Sequence, residues 1–411
     1  MKTAAVLSRL SRAPAASAHR QAPPGVGAVV LGGDYQGLGI VRSLGRHGIP
    51  LCVVDDERSI AGVSRFTSHR LHVPELRSAD ATLDALEVAR HRFGLEGWVL
   101  YPTRDETVAV FAAHREELAR HFRVPTPSWS CIEQAWDKRC TYRLAERLSI
   151  PIPRTWCPTT EADLAEVDTT VPLVVKPAIK EDFFYATGAK GWRVGSRSEL
   201  VEAFRRGTSV IGEEGRLLVQ DMIPGGGVQQ RSYCAFFKDG AAVASMTVSR
   251  RRQHPSDLGR SSTFVETVND PALTELSERF LSHIGYYGLV EVEYKLDPRD
   301  GVPKLLDVNA RTWGYHTLGA AAGVDFPYLL FEDQMGEQVT PASAEEGVRW
   351  LRLLTDVPNA VRDLRRGSLD LREYLSSLRG VDIESVFSLR DPLPGLYELA
   401  LVPYLAARRG L

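Results

Sequence analysis

Leu289-Val-Glu-Val-Glu-Tyr-Lys295, followed after a short turn by Lys304-Leu-Leu-Asp-Val-Asn-Ala-Arg311, is the stretch that decides the fold. Side chains alternate faces along a strand. Glu291 and Glu293 therefore share one face, and Asp307, Asn309 and Arg311 share one face of the next strand. Asp297-Pro-Arg-Asp-Gly301 carries the Pro and Gly of a hairpin turn, which lays the two polar faces side by side. Glu293, Asp307 and Asn309 then form an all-oxygen cluster. Such a cluster suits Mg²⁺, or Mn²⁺ in its place, because a hard cation takes oxygen ligands and completes its shell with water and nucleotide phosphates. Either strand alone reads as an ordinary solvated hairpin strand; their succession, with lysines upstream, favours the metal reading.

At 411 residues and 44% hydrophobic content, the chain is long enough for two or three domains, each with its own core. A net charge of -2 argues against general affinity for nucleic acid or an anionic membrane. The cysteines, Cys52, Cys131, Cys140, Cys157 and Cys234, are scattered without a C-x-x-C pair. That pattern predicts free thiols in a reducing compartment, the cytoplasm, and no disulfide framework or zinc site. No run approaches the roughly 20 apolar residues of a membrane helix, so a soluble protein is expected. Residues 1–24 are rich in Ala, Ser, Pro and Arg and contain no acid. They read as a disordered leader or as a transit peptide, with the leader favoured.

Residues 27–124 alternate strand-like and helix-like runs. Ala28-Val-Val-Leu31 enters Gly32-Gly-Asp-Tyr-Gln-Gly-Leu-Gly39, then come a helical run over 40–47 and the apolar Pro50-Leu-Cys-Val-Val-Asp55. Helical runs over 79–93 and 105–120 flank Gly97-Trp-Val-Leu-Tyr101. This order predicts a doubly wound parallel sheet with ligands at the carboxyl ends of its strands. The glycines at 32, 33, 37 and 39 do not fit G-x-G-x-x-G, which disfavours a nicotinamide or flavin site. The turn still suits an anionic substrate group at a helix N-terminus. Thr103-Arg-Asp-Glu106 is a second candidate at the same sheet edge, although Thr103 by itself reads equally well as a helix cap.

From Asp137 the pattern changes. Asp137-Lys-Arg-Cys-Thr-Tyr-Arg-Leu-Ala-Glu-Arg-Leu148 has helical spacing, and Val171-Pro-Leu-Val-Val-Lys-Pro177 is an apolar strand ending in a lysine that needs a counter-charge. A Gly-containing loop, Ala186-Thr-Gly-Ala-Lys-Gly191, is able to bring backbone N–H groups to an anion. Leu217-Leu-Val-Gln-Asp-Met-Ile-Pro-Gly225 follows as a strand running into a bend.

Asp137-Lys138, Val175-Lys176-Pro177, Gln220-Asp-Met-Ile-Pro-Gly225, Val292-Glu293 and Asp307-Val-Asn-Ala-Arg311, in this order, resemble the ATP-grasp superfamily over residues 27–336. Each motif is short; five in the correct order are specific. The branch it resembles is that of the carboxylate–amine ligases, which use ATP to turn a carboxylate into an acyl phosphate and let an amine displace the phosphate. The resemblance implies the following organisation: a leader at 1–24, a pre-ATP-grasp α/β domain at 25–125, and an ATP-grasp domain at 126–340 with a mobile lid at about 155–222. A helical extension at 341–411 completes it. It further implies that Lys138 and Lys176 reach the nucleotide phosphates and that Lys190 is a further phosphate contact. Gln220, Asp221 and Ile223 would line the adenine, with the backbone of Gln220 and Ile223 reading its edge. Glu293, Asp307 and Asn309 would hold Mg²⁺ or Mn²⁺, and Arg311 would face the transferring phosphate or the acyl group.

Three positions depart from the family pattern. Asp307 stands where a Glu is usual, Ala310 replaces a common Pro, and Gln229 and Gln230 lie where relatives often put an acid on the ribose. Ser249-Arg-Arg-Arg-Gln-His254, with Arg260 after Gly259, is the densest basic stretch. A bare charge run is usually a solvated loop. In similar sequences a basic residue here approaches the γ-phosphate, which makes Arg250 and Arg252 catalytic candidates, because the arginine fork binds phosphate or carboxylate bidentately. In the tail, Arg349-Trp-Leu-Arg-Leu-Leu354 has helix-like spacing; the tail either covers the cleft or forms the interface of a homodimer. The expected partners are a small carboxylate and an amine. Rival readings replace the amine by a thiol, a carrier-bound group or bicarbonate, or make the chain a non-catalytic nucleotide-binding protein. An oxidoreductase built on the first domain leaves the central motifs unexplained.

Overall fold

The computed structural model describes residues 25–212, 215–254 and 261–409. The leader at 1–24 and the pair Gly259 and Arg260 lie outside the described residues. Three sheets organise the described residues.

The first contains β1 (Ala28–Leu31), β2 (Leu51–Asp55), β3 (His69–His72) and β4 (Val99–Pro102), all parallel in the order β3-β2-β1-β4. Strands β1, β2 and β4 are buried throughout, as continuous apolar runs covered on both faces should be. Gly32 ends β1 at φ +91, and a Cβ there would lie 2.2 Å from Thr103 Oγ1, so only glycine fits this turn. The helix Tyr35–Arg46 then starts on Asp34, which accepts from Gln36 N. It begins five residues before the helical run expected at 40–47. The single helix expected over 105–120 is instead Asp105–Ala113 and Arg115–Leu118, broken at His114.

The second, small sheet holds β5 (Thr155–Trp156), β6 (Leu173–Pro177), β7 (Trp192–Val194) and β8 (Leu217–Asp221), in the order β5-β8-β6-β7. It has its own apolar centre, which includes Val175, Phe183, Leu200 and Val219.

The third sheet is the largest. Its strands are β9 (Gln230–Lys238), β10 (Ala241–His254), β11 (Ser261–Val268), β12 (Gly288–Leu296), β13 (Pro303–Asn309), β14 (Ala342–Ser343), β15 (Arg349–Leu351) and β16 (Ile383–Glu384). The order is β13-β12-β9-β10-β11-β15-β16, with β14 against β10. Alternation along β12 explains its place. Val290, Val292 and Tyr294 pack on the helix Pro271–His283 through Leu273, Phe280 and Leu281, which leaves Glu291, Glu293 and Lys295 on the opposite face. That helix is started by Asp270, which accepts from Leu273 N at 3.1 Å, with Pro271 in the first turn.

The tail is less purely helical than its sequence predicts. Helices Leu353–Arg365, Leu371–Leu378 and Leu393–Arg409 are present, but Arg349–Leu351 is a strand paired with β11, and β16 extends the same edge. The tail is tied to the N-terminal unit by a buried ion pair, Arg42 Nε to Asp391 Oδ2 at 3.0 Å, with Ser64 Oγ donating to the same oxygen. Among the described residues no helix is long and apolar enough to cross a membrane, and the five cysteines are free.

Candidate active site

The hairpin forms in the register that brings its acids together. Glu293 lies opposite Asp307 and Glu291 opposite Asn309. A bulge between Glu293 and Tyr294 on one strand skips Leu306 on the other, so Leu305 packs in the core while Leu306 and Asp307 both line a cleft. That cleft, about 160 Å³, runs between the small sheet and the hairpin.

Lysines from three elements converge on it. Lys138 opens the helix Lys138–Arg147, whose start is fixed by Asp137 accepting from Arg139 N at 2.8 Å; its Nζ reaches Asp307 Oδ1 at 2.9 Å. Lys176, near the end of β6, donates to Tyr142 OH at 2.7 Å, and Tyr142 donates in turn to the Leu306 carbonyl at 2.8 Å. Lys190, from the Gly-containing loop, lines the cleft while staying partly exposed. Loss of water lowers its ammonium pKa, as do Lys180 and Arg250, against the pull of Glu293 and Asp307. Gln220, Asp221 and Ile223 form the wall contributed by β8 and its bend. The Gln220 side chain donates to Thr155 Oγ1 at 2.7 Å, and the Ile223 carbonyl accepts from Lys295 at 2.8 Å.

Beneath the lysines lies a buried charge network. Arg250 Nη2 stands 2.6 Å from Glu291 Oε1 and 2.9 Å from Glu293 Oε1. Asn309 Nδ2 donates to Glu293 Oε1 at 2.6 Å and to Glu291 Oε2 at 3.1 Å, and Tyr315 OH donates to Glu291. Burial pushes the Glu293 carboxyl up, but Arg250 and Lys190 outweigh it and hold the group well below the usual carboxylate range. Arg311 grips Asp105 through Nε at 2.8 Å and Nη2 at 3.2 Å, and Lys180 pairs with the same carboxylate.

These residues fit a hard divalent cation. Glu293, Asp307 and the Asn309 amide supply oxygens on adjacent strands, and both carboxylates now answer cations, Arg250 and Lys138, whose place a metal would share. Asn309 presents its nitrogen to Glu293 in this arrangement, and would turn its amide oxygen to a metal. Among the described residues no group of three or more His, Cys, Asp or Glu is spaced for a metal ion, so the donors would be this mixed trio completed by phosphate and water.

Of the residues singled out in the sequence, Lys138, Lys176, Lys190, Gln220, Asp221, Ile223, Arg250, Glu293 and Asp307 line one cleft; Asn309 and Arg311 adjoin it through hydrogen bonds. Arg252 does not join them. A register shift between Arg250 and Arg252 leaves Arg251 as an extra residue and breaks the alternation that would have put both on one face. Arg252 instead binds Asp356 bidentately, at 2.8 and 2.9 Å, and donates to Ser377 Oγ, holding the tail helices against the sheet. Gln230 lines the cleft as an acceptor for Arg250 at 3.2 Å.

Sequence reasoning gave no role to Lys180, Lys295, Tyr142 or Tyr315. Lys295 sits one alternation beyond Glu293 on the polar face of β12, a signal that was available. Lys180 had no local signal, since only the fold brings it to Asp105. It lines both the cleft and a second cavity of about 620 Å³, walled by the carboxyl edge of the first sheet, Arg311 and the tail. The tail therefore covers a cavity beside the cleft.

A family model described as ATP-grasp in the biosynthetic pathway with Ter operon matches residues 218–354, which hold the cleft wall and the whole hairpin. A D-aspartate ligase of Enterococcus faecium (strain Aus0004) is 22% identical over 323 residues, covering 75% of this chain and 76% of the relative. The fold is similar to that of an L-amino acid ligase from Bacillus licheniformis, with a TM-score of 0.59 at 17% identity, covering 76% of this chain and 74% of that one. It is also similar to an N5-carboxyaminoimidazole synthetase from Staphylococcus aureus complexed with ADP, with a TM-score of 0.63 at 12% identity, covering 85% and 88%. The family match falls on the part of the cleft built from β8 and the hairpin, and the chain shares the fold of these solved structures.

Proposed function

We propose that the protein is an ATP-dependent ligase that converts a small carboxylic or amino acid to an acyl phosphate and joins it to an amine, releasing ADP and phosphate. The observation that carries this reading is the convergence of Lys138, Lys176 and Lys190, from three separate elements, on a cleft floored by Glu293, Asp307 and Arg250. Phosphoryl transfer asks a protein mainly for positioning and charge neutralisation. The lysines bind the triphosphate, and the bend at Gln220, Asp221 and Ile223 holds the base. Glu293, Asp307 and Asn309 would hold Mg²⁺ or Mn²⁺, which when bound would supply Lewis-acid offset of the phosphate charge. Arg311, kept charged by Asp105, stands between the cleft and the second cavity, where an attacking carboxylate can meet the phosphate. Arg250 neutralises the carboxylates beneath. The names of the relatives, D-aspartate ligase and L-amino acid ligase, support an amino acid as one substrate. The free thiols agree with a cytoplasmic enzyme.

The test is ADP release from ATP and Mg²⁺ with amino acids and amines supplied singly and in pairs. Release that requires an acid and an amine together is the expected result. Release that needs a thiol or bicarbonate in place of the amine transfers the chemistry to another acceptor, and nucleotide binding without release under any pairing contradicts an enzyme.

A further inference from the structure

One base on the wall of the second cavity has no part in binding phosphate or metal. His254, the last residue of β10, lines that cavity and is 5% exposed. Its Nδ1 lies 2.8 Å from Asn359 Oδ1, and Asn359 Nδ2 donates to the Gln253 carbonyl. A carbonyl only accepts, so the Asn359 nitrogen faces Gln253 and its oxygen faces the imidazole. That oxygen also only accepts, so the neutral ring carries its proton on Nδ1 and its lone pair on Nε2. Asn359, on the helix Leu353–Arg365, is itself buried, which holds the orientation. Among the described residues His254 Nε2 has no hydrogen-bond partner, and it is not sealed in as His316 Nε2 is.

Carboxylates on the same wall are committed elsewhere. Asp55 pairs with Arg104 at 2.8 Å, Asp105 with Arg311 and Lys180, and Glu398 with Arg352 at 2.8 Å. Any of them that took a proton would leave a cation beside it uncompensated, which is costly where both are buried. His254 has no such cost. Its Nδ1–H donates to Asn359 whether Nε2 carries a proton or not, so the ring is held in one orientation through both states. Imidazole is also the side chain whose proton exchange suits work near neutrality. An amine attacking an acyl phosphate held at Arg311 and Lys180 occupies the cavity that these two residues and His254 line together.

We propose that His254 is the catalytic base of the transfer step, its Nε2 taking a proton from the amine that attacks the acyl phosphate, with Asn359 as its positioning residue. The amine lone pair forms the C–N bond, and the C–O bond to phosphate breaks with its electron pair leaving on phosphate. One N–H proton passes to Nε2 and from there to the departing phosphate or to water. Proton removal by a placed base contributes about 10²–10⁴-fold to such a step. This assignment rests on the ligase reading and deepens it; it is independent of which acid and which amine are joined.

The experiment compares two nucleophiles on the full-length protein, with the acid and the amine that together support ADP release. The second nucleophile is hydroxylamine, which is uncharged near neutrality and captures an acyl phosphate as the hydroxamate without help from a base. In His254→Ala and His254→Gln, amide formation should fall by at least about 10²-fold while hydroxamate formation stays within about threefold of the native rate. Both products come from one preparation, so partial loss of fold lowers them together and leaves their ratio unchanged. His254→Gln keeps a donor for Asn359 and guards against a wider collapse of the wall. The proposal is overturned if the ratio of amide to hydroxamate in the variants stays within about threefold of the native ratio. It is overturned equally if the native protein makes amide but no hydroxamate, since no separate transfer step would then exist. Absence of ADP release from the native protein under every pairing would instead defeat the ligase reading, and the transfer step with it.

Discussion

Asn309→Ala and Glu293→Ala should each lower ADP formation by at least about 10²-fold while the protein stays folded, because each removes an oxygen donor from the trio that would hold the divalent cation. The two losses should differ in kind. Glu293 also compensates Arg250 at 2.9 Å, so its removal leaves Arg250 with Glu291 alone. Asn309 carries no charge, and its removal breaks three hydrogen bonds, one of them from Arg311, but no ion pair. The Asn309 variant is therefore the cleaner reporter of metal binding, and its titration with Mg²⁺ should show the weakened site directly. Wild-type rates in both variants, or full turnover of the native protein in excess chelator, would remove the metal assignment.

The arginines provide a second large effect and a contrast. Arg311→Lys keeps the charge but loses the fork that grips Asp105, and it should lower kcat by about 10²–10³-fold, the scale of losing one transition-state donor. ATP affinity should change by less than about threefold, since the charge it meets develops only during transfer. Arg252→Lys should do the reverse. It leaves fully buried Asp356 with a poorer partner and should lower the melting temperature, while kcat stays within about threefold of the native value. A large loss of kcat in Arg252→Lys with unchanged melting would return that residue to the catalytic machinery. A raised KM for ATP with unchanged kcat in Arg311→Lys would make it a binding residue.

The contrast between Arg250 and Arg252 marks where the sequence was legible. Alternation is a local property of an extended chain, so the shared face of Glu291 and Glu293 could be read from spacing alone, and the register of the hairpin agrees with it. A bulge is also local, but nothing in Arg250-Arg-Arg252 announces it, and the extra residue at Arg251 sends Arg252 to the tail. Bulging at Leu306 was equally silent. The helix-like spacing of 349–354 was overridden by pairing: Trp350 lies opposite Val265 and Leu351 opposite Phe264, so a free sheet edge decided the conformation. The ATP-grasp fold was legible because its short motifs occur in a fixed order. Lys180 and the Arg352–Glu398 pair were not, because each depends on a partner or a cavity contributed by distant segments. Substrate pockets assembled from several segments are the last thing that spacing reveals.

The central claim is that the carboxylate itself attacks the γ-phosphorus. In that step the carboxylate oxygen forms the new P–O bond as ADP leaves; the amine then attacks the acyl carbon and the C–O bond breaks, so the oxygen departs with phosphate. The decisive measurement uses the acid that supports ADP release, labelled with ¹⁸O in its reacting carboxylate, followed by mass spectrometry of the products. The account predicts label in inorganic phosphate alongside ADP. Label in AMP, with pyrophosphate released, would contradict it.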